Sequence, residues 1–384
     1  MALTKAHNRM IEGSMANVKD YGAVGDGTTD DTAAFEAAIA ANSTIFVPNG
    51  SYVISSPLDD EASPRTNLIG ESQESTTLKY TGSSNGMIRG LINLKNMSLN
   101  GAGSTSAYGI HVTNVATPAN FTGELFYENV QVRDFNYGVV IDNAYQVTFT
   151  ACKIEYNDYG VHGAAPSQEY RTQISFVDTL IRFNTIRGVF LEGGTITTPN
   201  ISFVNSSIEG NGDGTYNYQA YFSKIAPLTF RNSYLEMPNG VTTHYACKIV
   251  DCATSVISSY VNATKGFDLT GSTAKNRFSA ENTYFTQTAT VIDVDSNCIV
   301  SLINGCVMDG VTETELTGAD YYCVINSRIN SNEYNNSADY MTITDGRVPP
   351  STISNRAHIF VNNANGDLSV RFGDGTIKVI VTDT

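Results

Sequence analysis

Four phenylalanine residues spaced 27 positions apart mark an internal repeat in this chain: Phe149, Phe176, Phe203 and Phe230. Each lies in a segment with the pattern apolar-x-apolar-x-(Asn/Asp)-x-x-apolar, which occurs ten times. Its last apolar place is filled in turn by Leu99, Val132, Ile154, Ile181, Ile208, Leu235, Val261, Phe285, Val307 and Ile329. Apolar residues that alternate with polar ones predict β-strands and exclude helical repeats.

The place three residues before this apolar column predicts a sharp bend in each repeat. It holds Asn96, Asn129, Asp178, Asn205, Asn232, Asn282, Asn304 and Asn326, with Ala151 and Ser258 as the two interruptions. Asparagine and aspartate tolerate the left-handed backbone conformation that such a bend needs.

A further strand follows most bends and begins at a small residue. These residues are Gly109, Gly138, Gly160, Gly188, Ala220, Ala246, Gly266 and Thr290. A unit of strand, bend, strand and loop is too small to bury an apolar face alone, whereas stacked units share one continuous core. The repeat therefore predicts a β-solenoid.

The composition restricts the possible partners. With 38 acidic and 23 basic residues, the net charge of -15 disfavours nucleic acid and anionic membranes. No apolar run approaches the length of a membrane span, and the N-terminus lacks the apolar core of a signal peptide, so we expect neither membrane insertion nor conventional secretion.

We interpret the six cysteines as core residues in a reducing compartment, and no CxxC spacing suggests a metal. No cofactor is expected.

Changes in the pattern divide the chain into five segments. Residues 1–17 have no clear period and are expected to form a short attachment segment, while residues 18–90 should contain a capping helix and the first irregular coils. Regular coils occupy 91–334, and a linker follows at 335–357. Residues 358–384 carry two hairpin signals, Asn365-Gly366 and Asp374-Gly375, which predict a small three-stranded β segment that closes the C-terminal end and helps trimerisation.

The most specific string in the sequence covers Asp20 to Phe35 and Pro48 to Tyr52. It closely resembles the N-terminal signature of the pectate-lyase-like family of single-stranded right-handed β-helices, in which D-(Y/F)-G-A-x-G-D-G-x-x-D-(D/N)-T-x-A-(F/I) precedes a capping helix and a P-x-G-x-Y strand. The resemblance implies an all-β, right-handed parallel β-helix with an N-terminal capping helix. It implies nothing about catalysis, because the aspartates of the signature look structural in this family: Asp20, Asp26, Asp30 and Asp31.

Taken with the short leader and the sheet-like tail, the whole chain resembles a bacteriophage tailspike. That resemblance implies a homotrimer on the virion tail, assembled in the host cytoplasm and attached to other tail proteins through its N-terminus. It also implies binding, and usually cleavage, of bacterial surface polysaccharide such as capsule, O-antigen or exopolysaccharide.

The chemistry is expected on the outer wall, at the place just after the last apolar column. This line reads Asn100, Arg133, Glu155, Arg182, Glu209, Glu236, Asn262, Thr286, Met308 and Asn330, so that charges fill only its middle. The loops that follow add Asp158, Arg187, Asp213, Tyr216, Tyr218 and His244. Paired carboxylates with arginine and tyrosine nearby are the groups that glycoside cleavage needs.

The spacing of the carboxylates suggests their roles. Glu209 and Glu236 are one coil apart, near the roughly 5–5.5 Å of a retaining glycosidase, whereas Glu155 and Glu209 are two coils apart, near the limit for an inverting pair. We predict that Glu209 and Glu236 are catalytic, with Glu155 or Asp213 as the next choices. Arg182, Arg187, Asp158, Tyr216, Tyr218 and His244 are then the predicted substrate-binding residues.

Other interpretations stay open. Glu155, Arg182 and Glu209 could merely alternate in charge as a structural ladder, although the like-charge neighbours Glu209 and Glu236 argue against that. A non-catalytic receptor-binding spike is one functional alternative. A polysaccharide lyase is the other, and hydrolysis is preferred because the wall lacks the dense aspartate cluster that would hold calcium.

Two features of the second strand complete the predictions. An outward apolar column of Val140, Phe190 and Phe222 is expected to form the contact between trimer subunits. His111 and His162 fall at equivalent outward places separated by Val140, and we interpret them as surface residues rather than metal ligands.

Overall fold

The computed structural model describes residues 15–60, 65–83, 86–113, 124–142, 144–164, 171–194, 200–237, 244–271, 276–286, 290–294, 298–308, 324–325, 328–329, 358–361, 368–371 and 376–381. Contacts within the chain divide it into two units. The first comprises Met1–Cys323 with Ser327–Tyr334, and the second comprises Val324–Asn326 with Asn335–Thr384.

The first unit begins with two short helices. A 3-10 helix spans Val18–Tyr21, and an α-helix spans Thr32–Ala41 and buries Phe35, whose ring meets Tyr52 edge-on at 5.4 Å. The Asp30 carboxylate accepts hydrogen bonds from the backbone N–H and the hydroxyl of Thr32, the first residue of the α-helix. The Asp31 carboxylate instead fixes the preceding loop by accepting from the N–H groups of Val24 and Gly25. Within the described residues, no helix is long and apolar enough to cross a membrane.

The rest of the first unit is a parallel β-helix whose coils have three strands, which stack into three walls. The first wall contains Ala16–Asn17, Thr44–Val47, Thr66–Gly70, Ala144–Thr150, Arg171–Val177, Ile201–Val204, Leu228–Arg231, Ala253–Ile257, Asn276–Glu281 and Cys298–Asn304. The second wall contains Asp26–Asp30, Gly50–Ile54, Thr76–Tyr80, Lys153–Glu155, Leu180–Arg182, Ser207–Glu209, Tyr234–Glu236, Tyr260–Asn262, Tyr284–Thr286, Val307–Met308 and Arg328–Ile329.

The third wall contains Leu58–Asp60, Gly86–Gly90, Tyr159–Gly163, Arg187–Glu192, Tyr218–Ser223, Tyr245–Val250, Lys265–Thr270 and Thr290–Val294. Two long strands, Ile92–Val112 and Glu124–Ile141, pass through all three walls. The predicted β-solenoid is therefore confirmed, with one strand more per coil than the repeat pattern suggested.

The core of the β-helix contains the phenylalanines that revealed the repeat. Tyr127, Phe149, Phe176, Phe203 and Phe230 stack in consecutive coils, with successive ring centroids 4.8, 5.1, 4.8 and 5.1 Å apart. All five side chains are buried. The 27-residue spacing thus places each ring directly on the next one, where it packs at close to van der Waals distance.

The predicted bends are also present. Asn96, Asn129, Ala151, Asp178, Asn205, Asn232, Ser258 and Asn282 all have a left-handed backbone, with φ between 48° and 55°. Several coils contain a second left-handed residue after the short second-wall strand, at Asp134, Tyr156, Phe183 and Gly210. This second bend, which the sequence pattern did not predict, separates the second wall from the third.

The prediction of the bend at Asn304 is wrong by one residue. Asn304 pairs with Glu281, and the left-handed residue of this coil is Gly305, with φ of 63°. Met308 consequently pairs with Phe285 in the apolar column, instead of Val307, so that Met308 does not belong to the outer line. Asn326 and Asn330 lie outside the described residues.

A second slip concerns the third wall. Ala220 pairs with Val189 rather than with Gly188, and Phe222 pairs with Leu191 and is fully buried. The outward column at this level continues from Phe190 to Tyr221, so the predicted apolar contact column through Phe222 is wrong. Thr290 likewise pairs with Lys265 and not with Gly266.

The predicted register of Val140 and the predicted burial of the cysteines agree with the structure, but Val140 itself is only 6% exposed and offers little contact surface. Val140 pairs with both His111 and His162, as expected. Five cysteines are buried, at positions 152, 247, 252, 298 and 306, and Cys323 lies outside the described residues.

The second unit contains the short strand Val324–Ile325 and a three-stranded antiparallel sheet of His358–Val361, Leu368–Arg371 and Ile377–Val381. The three strands confirm the predicted three-stranded β segment, and its roles in closing the C-terminal end and in trimerisation stay predictions. Residues 362–367 and 372–375, which carry the two predicted hairpin signals, lie outside the described residues, as do the segment 1–14 and the linker 335–357.

Candidate active site on the second wall

The predicted outer line is formed by backbone pairing of successive second-wall strands. Glu155 pairs with Arg182, Arg182 with Glu209, Glu209 with Glu236, and Glu236 with Asn262. We call these five residues the charged ladder. Because neighbouring strands are about 4.8 Å apart, each of its side chains lies next to the one in the following coil.

Glu155, the first residue of the charged ladder, is held in place by contacts within the protein. Glu155 is only 3% exposed, and its two carboxylate oxygens accept hydrogen bonds from Arg182 Nε at 2.7 Å and Gln131 Nε2 at 2.6 Å. Burial of a carboxylate is tolerated because both oxygens have donors, one of them charged. Glu155 is therefore placed to hold Arg182 and has little surface to offer a ligand.

Arg182 connects Glu155 to Glu209. Its Nη1 lies 3.5 Å from Glu209 Oε1, while Glu209 Oε2 accepts a hydrogen bond of 2.8 Å from Ser207 Oγ. The mutual attraction with the two carboxylates raises the pKa of Arg182, chiefly through its hydrogen bond to Glu155. Glu209 is more accessible than Glu155, since its side chain is 19% exposed.

Glu236 has a different environment from Glu209. Its Oε1 accepts a hydrogen bond of 2.9 Å from Asn262 Nδ2, and among the described residues no cation forms an ion pair with it. Burial is the main reason why the pKa of the neighbouring Tyr234 is raised, and a hydrogen bond and the charge of Glu236 add to the effect. The two adjacent glutamates thus differ, because one has a guanidinium beside it and the other has an amide and a phenol.

A tyrosine ladder beside Glu236 was not anticipated. Tyr234, Tyr260 and Tyr284 occupy the place just before the apolar column in three consecutive coils, and their rings stack at 5.4 and 5.2 Å. Since the rings cover one another's faces, they offer edges and hydroxyl groups to a ligand. The recurrence of tyrosine at one repeat position was visible in the sequence and could have revealed the ladder.

The predicted substrate-binding residues do not form one cluster. Four of them lie at the start of the third wall, which the second bend separates from the charged ladder. They are Arg187, Tyr218 and the adjoining Asp158 and Tyr216. The guanidinium carbon of Arg187 lies 3.8 Å from the ring centre of Tyr216 and 4.8 Å from that of Tyr218. The structure therefore separates the predicted residues into a carboxylate group on one wall and an arginine–tyrosine group on the next.

The last two predicted residues lie at an exposed loop. Asp213 is exposed and accepts a hydrogen bond of 2.8 Å from the N–H of Thr215, and the hydrogen bonds from Thr215 lower the pKa of this aspartate. The ring of His244 lies close to Gly214 in the same loop. Among the residues that the structure describes, no three histidine, cysteine, aspartate or glutamate side chains gather as a metal site requires.

Comparison with known proteins gives a family match over most of the β-helix. The family model described as "Rhamnogalacturonase A/epimerase, pectate lyase-like" matches residues 15–268. Among curated proteins, the pre-neck appendage protein of Bacillus phage B103 is 56% identical over 39 residues, which are 10% of this chain and 4% of that protein. The chain therefore spans only a small part of this relative's length.

Solved structures show the same fold at low sequence identity. Tailspike protein 2 of an Escherichia coli O157:H7 bacteriophage superposes with a TM-score of 0.59 at 14% identity, covering 94% of this chain and 52% of that protein. The A-module of the mannuronan C-5 epimerase AlgE6 of Azotobacter vinelandii gives a TM-score of 0.53 at 16% identity, covering 83% of this chain and all of the module. At these identities the likeness is one of fold.

Proposed function

The chain belongs to the rhamnogalacturonase A/epimerase, pectate lyase-like family, and we propose that it is a phage tailspike subunit that binds bacterial surface polysaccharide and cleaves it by glycoside hydrolysis. The observation that carries this proposal is the pairing of Glu209 with Glu236 on an accessible wall. Adjacent like charges destabilise a sheet, so a structural ladder would avoid them. A site that needs two neighbouring carboxyl groups is a reason to keep them.

The surroundings of Glu209 and Glu236 differ, and this difference suggests a separate catalytic role for each. Glu209, beside Arg182 and Ser207, is suited to act as the ionised nucleophile, and Glu236 is suited to donate a proton. Glu236 would protonate the glycosidic oxygen as Glu209 attacks the anomeric carbon. Water deprotonated by Glu236 would then release the sugar from Glu209. One coil of separation is close to the distance of about 5–5.5 Å that this retaining mechanism uses.

Neighbouring side chains have supporting roles in this proposal. Glu155 holds the Nε of Arg182, and Arg182 in turn faces Glu209. The hydroxyl groups of Tyr234, Tyr260 and Tyr284 form a row beside Glu236 that can hydrogen-bond to sugar hydroxyls. Arg182 would then orient the nucleophile in addition to any contact with the sugar.

Replacement of each glutamate by glutamine tests the catalytic roles. Glu209→Gln and Glu236→Gln should each lower the release of reducing ends from host polysaccharide by at least about 100-fold, because each removes an acid or base group. Binding of the polysaccharide should be retained, and the melting temperature should not fall, because each variant relieves the repulsion between the two glutamates. Glu128→Gln is the matched control, since Glu128 is an exposed glutamate on the first wall that pairs with Lys95. Full activity of both site variants would place the reaction elsewhere.

A non-catalytic binding spike is the second candidate. It is favoured by the mutual ion pairing of Glu155, Arg182 and Glu209, which is sufficient to explain three of the ladder residues structurally. This candidate requires that the wild-type protein binds polysaccharide and yields neither reducing ends nor unsaturated uronates. Formation of unsaturated uronates would instead indicate a lyase.

We also propose that the protein is a homotrimer on the virion tail, joined to other tail proteins through residues 1–17. The fold shared with a solved tailspike and the local identity with a phage appendage protein support a tail location. Outward aromatic residues on the third wall, such as Phe190 and Tyr221, provide surface to bury between subunits. Light scattering of the purified chain should give three times the monomer mass, and a monomer at micromolar concentration would contradict the proposal.

A further inference from the structure

A column of tyrosines runs along the start of the third wall and is interrupted by one arginine. Tyr137 pairs with Tyr108 and with Tyr159, and Tyr159 pairs with Arg187. Tyr218 occupies the same place in the coil after Arg187, and it pairs with Tyr245. The column therefore reads Tyr108, Tyr137, Tyr159, Arg187, Tyr218 and Tyr245, and Lys265 follows in the next coil. Arg187 is thus a cation with phenols in the coils on both sides.

Arg187 is buried by aromatic rings. It is only 4% exposed, and its guanidinium carbon lies 3.8 Å from the ring centre of Tyr216, 4.7 Å from Phe190 and 4.8 Å from Tyr218. The guanidinium makes one hydrogen bond to a described residue, and it is a long one, 3.4 Å from Nη2 to the hydroxyl of Tyr218. The Nε atom is buried, and no described residue accepts a hydrogen bond from it.

No carboxylate of the described residues forms an ion pair with Arg187. Asp158, at the same turn, uses its carboxylate to accept a hydrogen bond of 3.1 Å from Asn136 Nδ2. By contrast, Arg89, Arg133 and Arg182 each pair with a carboxylate. In a chain with 38 acidic and 23 basic residues, acidic partners are abundant, so the lack of one at the most buried arginine is informative.

A buried cation without a counter-charge is costly even when aromatic faces compensate part of the lost hydration. An anion that enters the site would supply both the missing charge and an acceptor for the guanidinium N–H groups. The phenols add donors, because burial first and a hydrogen bond with Tyr216 second raise the pKa of Tyr159 to about 12, which keeps its hydroxyl protonated. A guanidinium surrounded by phenol hydroxyls offers several N–H and O–H donors to one anion, as an anion-binding site requires.

We propose that Arg187, with the hydroxyls of Tyr159 and Tyr218, is a subsite for the carboxylate of a uronic acid, so that the polysaccharide of this protein is acidic. The inference rests on the proposed function in that it assumes a polysaccharide ligand. A planar guanidinium matches a carboxylate with two parallel hydrogen bonds. Tyr216 covers the guanidinium but belongs to the exposed stretch 213–217, so its ring must swing aside when the ligand enters.

A pair of simple sugars tests the subsite without knowledge of the natural polymer. The affinity of the wild-type protein for methyl glucuronide and for methyl glucoside, which lacks the carboxylate, is measured by ligand-observed NMR. A charge-assisted hydrogen bond predicts a preference of at least about tenfold for the glucuronide. Arg187→Gln should abolish the preference by weakening the binding of the glucuronide. Arg133→Gln is the matched control, because it removes an arginine that contacts the ring of Tyr156 but pairs with Asp134.

A measurement on the wild-type protein covers the case in which Arg187→Gln fails to fold. Phenylglyoxal modifies arginine, and peptide mass spectrometry locates the modified residue. Methyl glucuronide should slow the modification of Arg187 at least about threefold, as expected from occupancy of the guanidinium, whereas methyl glucoside should not.

Equal affinity of the wild-type protein for the two sugars, or no protection of Arg187, would overturn the subsite. That result would leave the depolymerase proposal standing, since the assay of Glu209→Gln and Glu236→Gln is independent. Conversely, glucuronide preference together with full activity of both glutamate variants would support the subsite and refute the catalytic assignment.

Discussion

The pair of Arg182 and Glu155 allows a quantitative test of how the charged ladder is held. Arg182→Gln would leave Glu155, which is 3% exposed, with Gln131 as its remaining side-chain donor. Breaking a buried ion pair typically costs about 3–5 kcal/mol in the free energy of unfolding. Because the Arg182 side chain is 30% exposed and water can replace it in part, we expect the lower end, about 3 kcal/mol.

The reverse substitution should be milder. In Glu155→Gln, the exposed part of Arg182 keeps water and the neighbouring Glu209 as partners. We therefore expect a loss of about 1 kcal/mol, the worth of one ordinary hydrogen bond. In the double variant the two amides face each other, and the loss should be only about 2 kcal/mol in total, which corresponds to a coupling of about 2 kcal/mol.

Equilibrium unfolding in urea, which does not screen charges, measures the four proteins of this cycle. The exposed pair of Lys95 and Glu128, with side chains 44% and 51% exposed, is the control. Its cycle should give a coupling of no more than about 0.5 kcal/mol. Additive losses at Arg182 and Glu155, or a coupling as small as that of the control, would refute the view that Glu155 anchors Arg182.

Three further predictions concern other parts of the chain. Ala151→Asn should raise the free energy of unfolding by about 1 kcal/mol in urea titrations, because alanine is strained at φ of 53°; a loss of stability would contradict this. Asp30→Asn should destabilise the protein at neutral pH, and the difference should vanish in acid. Hydrogen bonds from Ser55 and Thr32 lower the pKa of Asp30, so its contribution is present above the ordinary value of 3.8 and is lost as the pH falls through the lower folded-state value; a gap that persists in acid would argue against it. Burial raises the pKa of Cys152 and Cys252 to about 12, so their thiols are unreactive in the folded protein. A Cys323→Ser variant should therefore react with iodoacetamide only as fast as it unfolds. Rapid labelling of the native protein would count against the burial of these cysteines.

Local patterns made most of the β-helix predictable. Alternation of apolar residues and the left-handed preference of asparagine act within a few residues, and stacking then repeats them in every coil. The two errors in the predicted register arise where one coil has a different type of residue from the other coils at the same place in the repeat. Gln219 takes the place of a small residue because its buried amide bonds to Asn211 and to the carbonyl of Ile208, and Gly305 takes the place of asparagine at a bend.

The candidate site was predictable only in part. The order of residues along the charged ladder follows from strand register, and the structure reproduces it from Glu155 to Asn262. Side-chain choices do not follow from register, so the burial of Glu155 against Gln131 could not be foreseen. The position of Arg187 beyond a second bend depended on left-handed Tyr156 and Phe183, residue types in which that conformation is uncommon.

The equal 27-residue spacing of the coils around Phe149, Phe176, Phe203 and Phe230 has a consequence for how such a protein changes during evolution. A duplication or deletion of one such segment, for example 178–204, would begin and end at the same bend position. The remaining rings and bends would rejoin in register, and the length would change by about 4.8 Å. Recombination between genes that encode such β-helices could therefore lengthen or shorten the molecule in whole steps, or exchange one coil's outward side chains for another's, without redesigning its interior.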